Sequence, residues 1–227
     1  MKKLTLLFLL TLCLNACSQN NFQNPYGLAI INTSENYKKS IKTNPNNELV
    51  EIKKVIPSVV LDIRYATKNN FMKQVMYKQA RAFARKPVVQ QLKIIQAELA
   101  KKGYGLKIFD AYRPYAITLS FYEKASNKNF VANPQKGSKH NRGCAVDLTI
   151  IDLKTGKDVP MPTPYDSFAQ EASPRFNELP ADVIKNRDFL IATMHAYGFK
   201  VIYNEWWHFD FKDWQKYDLM DIPFQNL

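Results

Sequence analysis

The stretch PVVQQLKIIQAELAKKGYG, beginning at Pro87, is the strongest constraint on how this chain folds. Val88, Leu92, Ile95 and Leu99 recur at spacings of four, three and four, so they line one face of a helix. Pro87 suits its first turn and Gly103 its C-terminal stop. A helix with one apolar face needs a partner surface, and LKIFDAYRP, reading as a strand that ends at Pro114, follows almost at once. VVLDIRYAT, upstream, also reads as a strand, and a second helix is expected at about Ala116 to Lys124. In GCAVDLTII the alternation puts Val146, Leu148 and Ile150 on one face, and Ala145, Asp147 and Thr149 on the face away from the core. Gly156 to Pro180 is proline-rich and reads as a long loop over the surface. DVIKNRDFLIATMHAYG reads as a helix stopping at Gly198, and FKVIYNEWWHFDF as a last strand or strand pair. Helices and strands intersperse without a βαβ rhythm. The expected class is α+β, a single domain whose central, mainly antiparallel sheet is flanked by helices.

The N-terminus fixes an expected compartment. MKKLTLLFLLTLCLNAC has a charged start, an apolar run from Leu4 to about Leu14, and then small residues. The run is shorter than the roughly 20 residues a membrane-spanning helix needs and fits a secretory signal peptide. LNAC, ending at Cys17, resembles the lipobox of bacterial lipoproteins, in which the chain is cut before a lipidated cysteine; an ordinary cut near Ala16 is the alternative. Residues 1–16 are therefore expected as a signal peptide, 17–48 as a lipid-anchored tether rich in Asn, Gln, Ser and Lys, and 49–227 as the folded domain. The anchored protein would sit in the cell envelope. With Cys13 removed and Cys17 lipidated, Cys144 is the only thiol left, so no internal disulfide supports the fold. The formal net charge of +12 comes from scattered Lys and Arg rather than from a cluster. That speaks against a nucleic-acid partner and for attraction to an anionic envelope surface. No protein partner can be read from the sequence.

The chemistry concentrates in two stretches. SKHNRGCAVD, Ser138 to Asp147, places His140 in a polar loop, Gly143 at a tight turn, and Asp147 on the strand that follows. YNEWWHFDF adds Glu205 and His208. Two histidines with one carboxylate form a common ligand set for catalytic zinc, with a fourth position left for water. Taken singly, each residue has a plainer reading. His208 fits a core histidine among aromatics, Asp147 a solvated strand residue, and Glu205 a rim residue. The third histidine, His195, lies in a helix and reads as structural or exposed. Side chains alternate along a strand, so Glu205 and His208 meet only if the backbone bends near Glu205 or Trp206. Glu205 would then be a general base beside the metal rather than a ligand. Arg113, at the end of its strand, could bind a developing oxyanion, grip a substrate carboxylate, or pair with Asp110.

These stretches resemble the paired signature S-x-H-x-x-G-x-A-x-D and E-x-W-H of zinc D,D-peptidases. DIRYATKNNF, GYGLKIFDAYRP and GCAVDLTI running on to LKTGKDVPMPTPYD resemble, more narrowly, the D-alanyl-D-alanine dipeptidases of vancomycin-resistance clusters. The likeness runs from about residue 50 to 225. It implies His140, Asp147 and His208 as ligands of one Zn²⁺, Glu205 as catalytic base, Arg113 at the oxyanion and Ser138 in the substrate pocket. The implied fold is a small α+β domain with the zinc on one side of the sheet, and the implied reaction is hydrolysis of D-Ala-D-Ala to two D-alanines. Cys144 stands where the family usually has another small residue. The export signal departs from the cytoplasmic resistance enzymes and points to salvage or wall turnover. Two alternatives stay open: a carboxypeptidase or endopeptidase trimming peptidoglycan stems, and a non-catalytic wall-binding lipoprotein.

Overall fold

The computed structural model describes residues 24–125 and 128–227, so the leader and Cys17 lie outside the described residues. The elements run β1 (Ile30–Ile31), α1 (Ser34–Thr43), β2 (Leu49–Glu51), α2 (Ile52–Val55), β3 (Val60–Leu61), β4 (Phe83–Arg85), α3 (Lys86–Ala100), β5 (Tyr104–Asp110) and α4 (Tyr115–Lys124). They continue with β6 (Ala145–Asp152), α5 (Ala181–Ala196), β7 (Phe199–Val201), β8 (His208–Phe211) and β9 (Leu219–Met220). The main sheet has five strands in the order β3-β5-β6-β8-β7. The β3–β5 pairing is parallel and the other three are antiparallel, so the α+β, mainly antiparallel expectation holds.

Helix α3 supplies the layer over this sheet. Val88, Leu92, Ile95 and Leu99 are all buried, as their spacing requires. The buried Gln96 side chain on the same helix accepts from the Leu106 N–H at 2.7 Å, tying α3 to β5. Fully burying side chains of this size is worth roughly 1.5–3 kcal/mol each, so this face is a large part of what holds the domain together.

Four expectations change. The polar stretch up to residue 48 is not simply a tether. Its described part contains β1, paired with β9, and α1, capped by the Thr33 hydroxyl accepting from the Asn36 N–H. The buried Tyr37 fastens α1 to the domain, its hydroxyl accepting from the Leu49 N–H at 2.7 Å. Next, VVLDIRYAT forms only the short β3; the chain then turns through Arg64–Ala66 and buries Tyr65. Finally, β6 is buried on both faces, and Asp147 with it. It is a central strand, and the loop after Gly156 does not simply lie over the surface. That loop brings Tyr165 back over the sheet, stacked on Phe109 at 4.6 Å and donating to Asp147 Oδ2 at 2.9 Å.

Candidate metal centre

The turn before β6 is built around Gly143, whose φ of 68° lies in the left-handed region. A Cβ there would also collide with Leu49, so only glycine fits both the backbone and the space. The turn is fastened to the end of β5 from several sides. The buried Asn141 side chain donates to the Arg113 carbonyl at 2.9 Å and to the Thr118 hydroxyl at 2.8 Å, while the Arg113 N–H donates to the His140 carbonyl at 3.1 Å. These bonds leave His140 buried, with Nδ1 2.6 Å from the Ala111 carbonyl. A carbonyl only accepts, so Nδ1 carries the proton and Nε2 keeps its lone pair.

His208 starts β8 and pairs in register with Asp147 on β6. The bend required before it is present. Residues 206 and 207 lie in a turn, the Trp206 N–H donates to the Ala172 carbonyl at 2.9 Å, and the Trp206 indole donates to the Thr163 hydroxyl at 3.0 Å. Both tryptophans are buried, and the turn they anchor swings Glu205 to the side of His208, 3.8 Å from its Nδ1.

His140, Asp147 and His208 converge as a group able to hold a metal. His140 Nε2 is 3.1 Å from His208 Nδ1 and 3.4 Å from Asp147 Oδ1, and Oδ1 is 3.0 Å from His208 Nδ1. Donors about 2.0–2.1 Å from a tetrahedral ion stand roughly 3.3 Å apart, so the spacing fits zinc. The decisive atom is Asp147 Oδ1, which is buried and accepts no hydrogen bond among the described residues, while Oδ2 is taken by Tyr165. Lone pairs crowded at one point in a buried site repel unless a cation stands among them. The residues fit the metal that their types imply.

Burial raises the Asp147 carboxyl, but His140 and His208 outweigh it and hold the group below the usual carboxylate range. Burial opposes charge on His208 as well, yet the carboxylates of Asp147 and Asp210, beside its two ring nitrogens, push it up to about 10. Glu205 is pushed up to about 7, first by burial and then by the Asp147 charge, against the pull of His208 and Arg113. A carboxyl whose folded pKa lies above its unfolded value of ~4.3 binds more protons when folded. Its contribution to stability is therefore full below about pH 4 and is lost as pH rises through about 7. Without metal, denaturant titrations should show that loss in the parent protein, up to ~4 kcal/mol, and show it missing in Glu205→Gln. Equal pH slopes in the two proteins would contradict it.

The site opens into a cavity of about 310 Å³, within the range of small-ligand pockets. Arg113 and Ser138 line it with the metal group and Glu205. Of the three roles expected for Arg113, the pairing with Asp110 is present, and its place at the cavity leaves the two substrate-facing ones within reach. Its Nε and Nη2 donate to Asp110 Oδ2 at 2.9 and 2.7 Å, and its guanidinium lies over the rings of Phe121 and Tyr65 at the cavity wall. The Ser138 hydroxyl accepts from the His140 N–H at 3.2 Å, so it shapes the turn as well as the wall. His195 is exposed on α5 and away from the metal group, and Cys144 is buried, with its thiol pushed up to about 12 by burial.

Sequence reasoning missed Tyr165, Asp166 and Asp210. Asp166 lines the cavity, with Oδ1 accepting from the Tyr65 hydroxyl at 3.1 Å and Oδ2 shielded without a partner among the described residues. It is a non-glycine residue at φ 62°, a strained backbone of the kind that gathers at functional sites. Burial, with the charge of Asp147, raises its carboxyl well above the ordinary range. Asp210 had a readable signal, since it lies two residues after His208 on a strand and so on the same face.

A family model described as D-ala-D-ala dipeptidase matches residues 45–226. Among curated proteins, the D-alanyl-D-alanine dipeptidase of Escherichia coli K12 is 30% identical over 177 residues, covering 78% of this chain and 91% of that protein. The D-alanyl-D-alanine dipeptidases of Enterococcus faecium and Enterococcus faecalis V583 are 28% and 27% identical, covering 76% and 79% of this chain and 91% and 95% of theirs. With the family model matched across the folded domain and the metal group inside the match, the chain belongs to the D-Ala-D-Ala dipeptidase family.

Proposed function

We propose that the protein hydrolyses D-Ala-D-Ala to two D-alanines, using one zinc held by His140, Asp147 and His208. The observation that carries this reading is the convergence of those three donors, Asp147 Oδ1 without a hydrogen bond among them, beside Glu205 in a cavity of small-ligand size. Zinc held there supplies a Lewis acid for the scissile carbonyl and lowers the pKa of water toward ~7. Glu205 takes a proton from the attacking water and passes it to the amine of the departing D-alanine. A divalent cation nearby also draws the Glu205 carboxyl down from its buried value toward the ionised form that this step needs. Arg113, its fork fixed by Asp110, donates to the carbonyl oxygen as charge gathers there. Ser138 completes the wall of the substrate pocket.

Asp166 is suited to the ammonium end of the dipeptide: burial holds its carboxyl back from ionising, its Oδ2 has no partner among the described residues, and an ammonium there would supply the missing donor and counter-charge. Asp166→Asn should raise KM about 10–100-fold, the cost of one charged hydrogen bond, and change kcat far less. Steady-state kinetics on D-Ala-D-Ala would expose an unchanged KM, which contradicts this role.

The compartment belongs to the same reading. A charged start, an apolar core and LNAC support a lipid-anchored envelope protein, one that would meet dipeptide released from the wall. Among the described residues no helix is long and apolar enough to cross a membrane. The attachment proposed from LNAC is through Cys17. Labelled fatty acid should enter the parent protein and not Cys17→Ser; equal labelling would remove the anchor. Assay of free D-Ala-D-Ala beside a longer peptide ending in it decides the substrate. The dipeptide should be cleaved preferentially, and cleavage of the longer peptide alone would make the enzyme a stem-trimming carboxypeptidase.

A further inference from the structure

His208 faces the other two donors through Nδ1, which leaves Nε2 pointing away from the metal group. Nε2 lies 3.0 Å from Oδ1 of Asp210. The second oxygen, Oδ2, takes the ammonium of Lys139 at 2.9 Å. Lys139 immediately precedes His140, and its ammonium also lies 5.2 Å from the Trp214 ring centroid. The other histidine is held differently: His140 Nδ1 hydrogen-bonds the neutral carbonyl of Ala111 at 2.6 Å, while the nearest carboxylate oxygen, Asp110 Oδ2, stands 3.9 Å away, beyond hydrogen-bond reach, and is itself bound by Arg113. The two imidazoles are thus held unequally: the outer nitrogen of His140 is hydrogen-bonded to a peptide carbonyl, and that of His208 to a carboxylate that shares its charge with a lysine.

We propose that Asp210 is a positioning residue for the metal centre: it fixes the tautomer and plane of His208 and strengthens it as a ligand, while Lys139 moderates that effect. A carboxylate on the outer nitrogen keeps the proton on Nε2, so the Nδ1 lone pair is free, and it raises the basicity of the ring. A cation on the far oxygen of the same carboxylate withdraws part of that charge. The plainer role would be a staple, an ion pair joining the turn that carries His140 to the strand that carries His208. The two roles predict different signs. For a staple, losing either partner weakens the site alike. For a positioning carboxylate, losing Asp210 weakens metal binding and losing Lys139 does not.

The test rests on the metal-site reading and uses zinc affinity of the full chain, measured by competition with a chromophoric chelator, so it needs no substrate. Asp210→Asn keeps the shape and an acceptor oxygen and should lower zinc affinity about 10–100-fold. Lys139→Met keeps the packing on Trp214 and should leave the affinity equal or higher. With cobalt(II) in place of zinc, the visible absorption of Asp210→Asn should shift while that of Lys139→Met follows the parent. An Asp210→Asn affinity within about twofold of the parent overturns the proposal, as does an equal loss in Lys139→Met. A parent that binds no zinc sinks the metal-site reading itself, a distinct result. Should Asp210→Asn fail to fold, proton spectra of the cobalt(II)-loaded parent decide instead. Two shifted, slowly exchanging ring N–H signals are expected, from His140 and His208, and a single one overturns the role of Asp210.

Discussion

Glu205→Gln is expected to keep its zinc and lose about 10²–10⁴ in kcat, the usual contribution of a positioned general base. The split follows from position. Glu205 stands 3.8 Å from His208 Nδ1 but outside the group of three converging ligands, so its removal leaves the donor set whole. A base acts in the transition state and not in holding the dipeptide. Hence kcat and kcat/KM should fall together with KM little changed. Metal analysis beside steady-state kinetics checks both halves. A variant that turns over at the parent rate would take the base role from Glu205, and one that loses zinc would make it a ligand.

Asp147→Asn is the second large effect, and it appears in stability as well as in rate. A ligand that binds only the folded state stabilises it by ~2.7 kcal/mol when present at about 100 times its Kd. The parent should gain that much from zinc in a denaturant titration. Asp147→Asn should gain far less at the same zinc concentration and show no D-alanine release above background. The substitution is near-isosteric, and the Tyr165 hydroxyl can still donate to the amide oxygen, so the lost term is the anionic donor rather than the fold. Parent-like stabilisation by zinc in this variant would mean that the metal sits elsewhere.

Much of this was legible in the sequence because the information is local. The α3 face follows from a four-three-four spacing and is buried as read. The bend before His208 follows from strand alternation once Glu205 and His208 are taken to serve one metal, because they cannot share a face without it. Other features depend on what packs against what. Asp147 reads as outward-facing because nothing within GCAVDLTII says that a later loop will cover that face with Tyr165. Asp166 sits in the same loop, whose path is set by stacking on Phe109 rather than by its own residues. Helix α1 hides in a polar stretch because a single buried side chain, Tyr37, joins it to the domain. The pairing of Asp210 with His208 was in plain view as a two-residue spacing, and becomes meaningful only once His208 is a ligand.

The most direct measurement is D-alanine release from D-Ala-D-Ala by the purified protein as isolated with zinc, after stripping by chelator, and after zinc is returned. The metal-centred account predicts two D-alanines per dipeptide, loss of turnover on stripping, and recovery with zinc. Undiminished release by protein shown to be free of metal, or no release by protein shown to hold zinc, would contradict it.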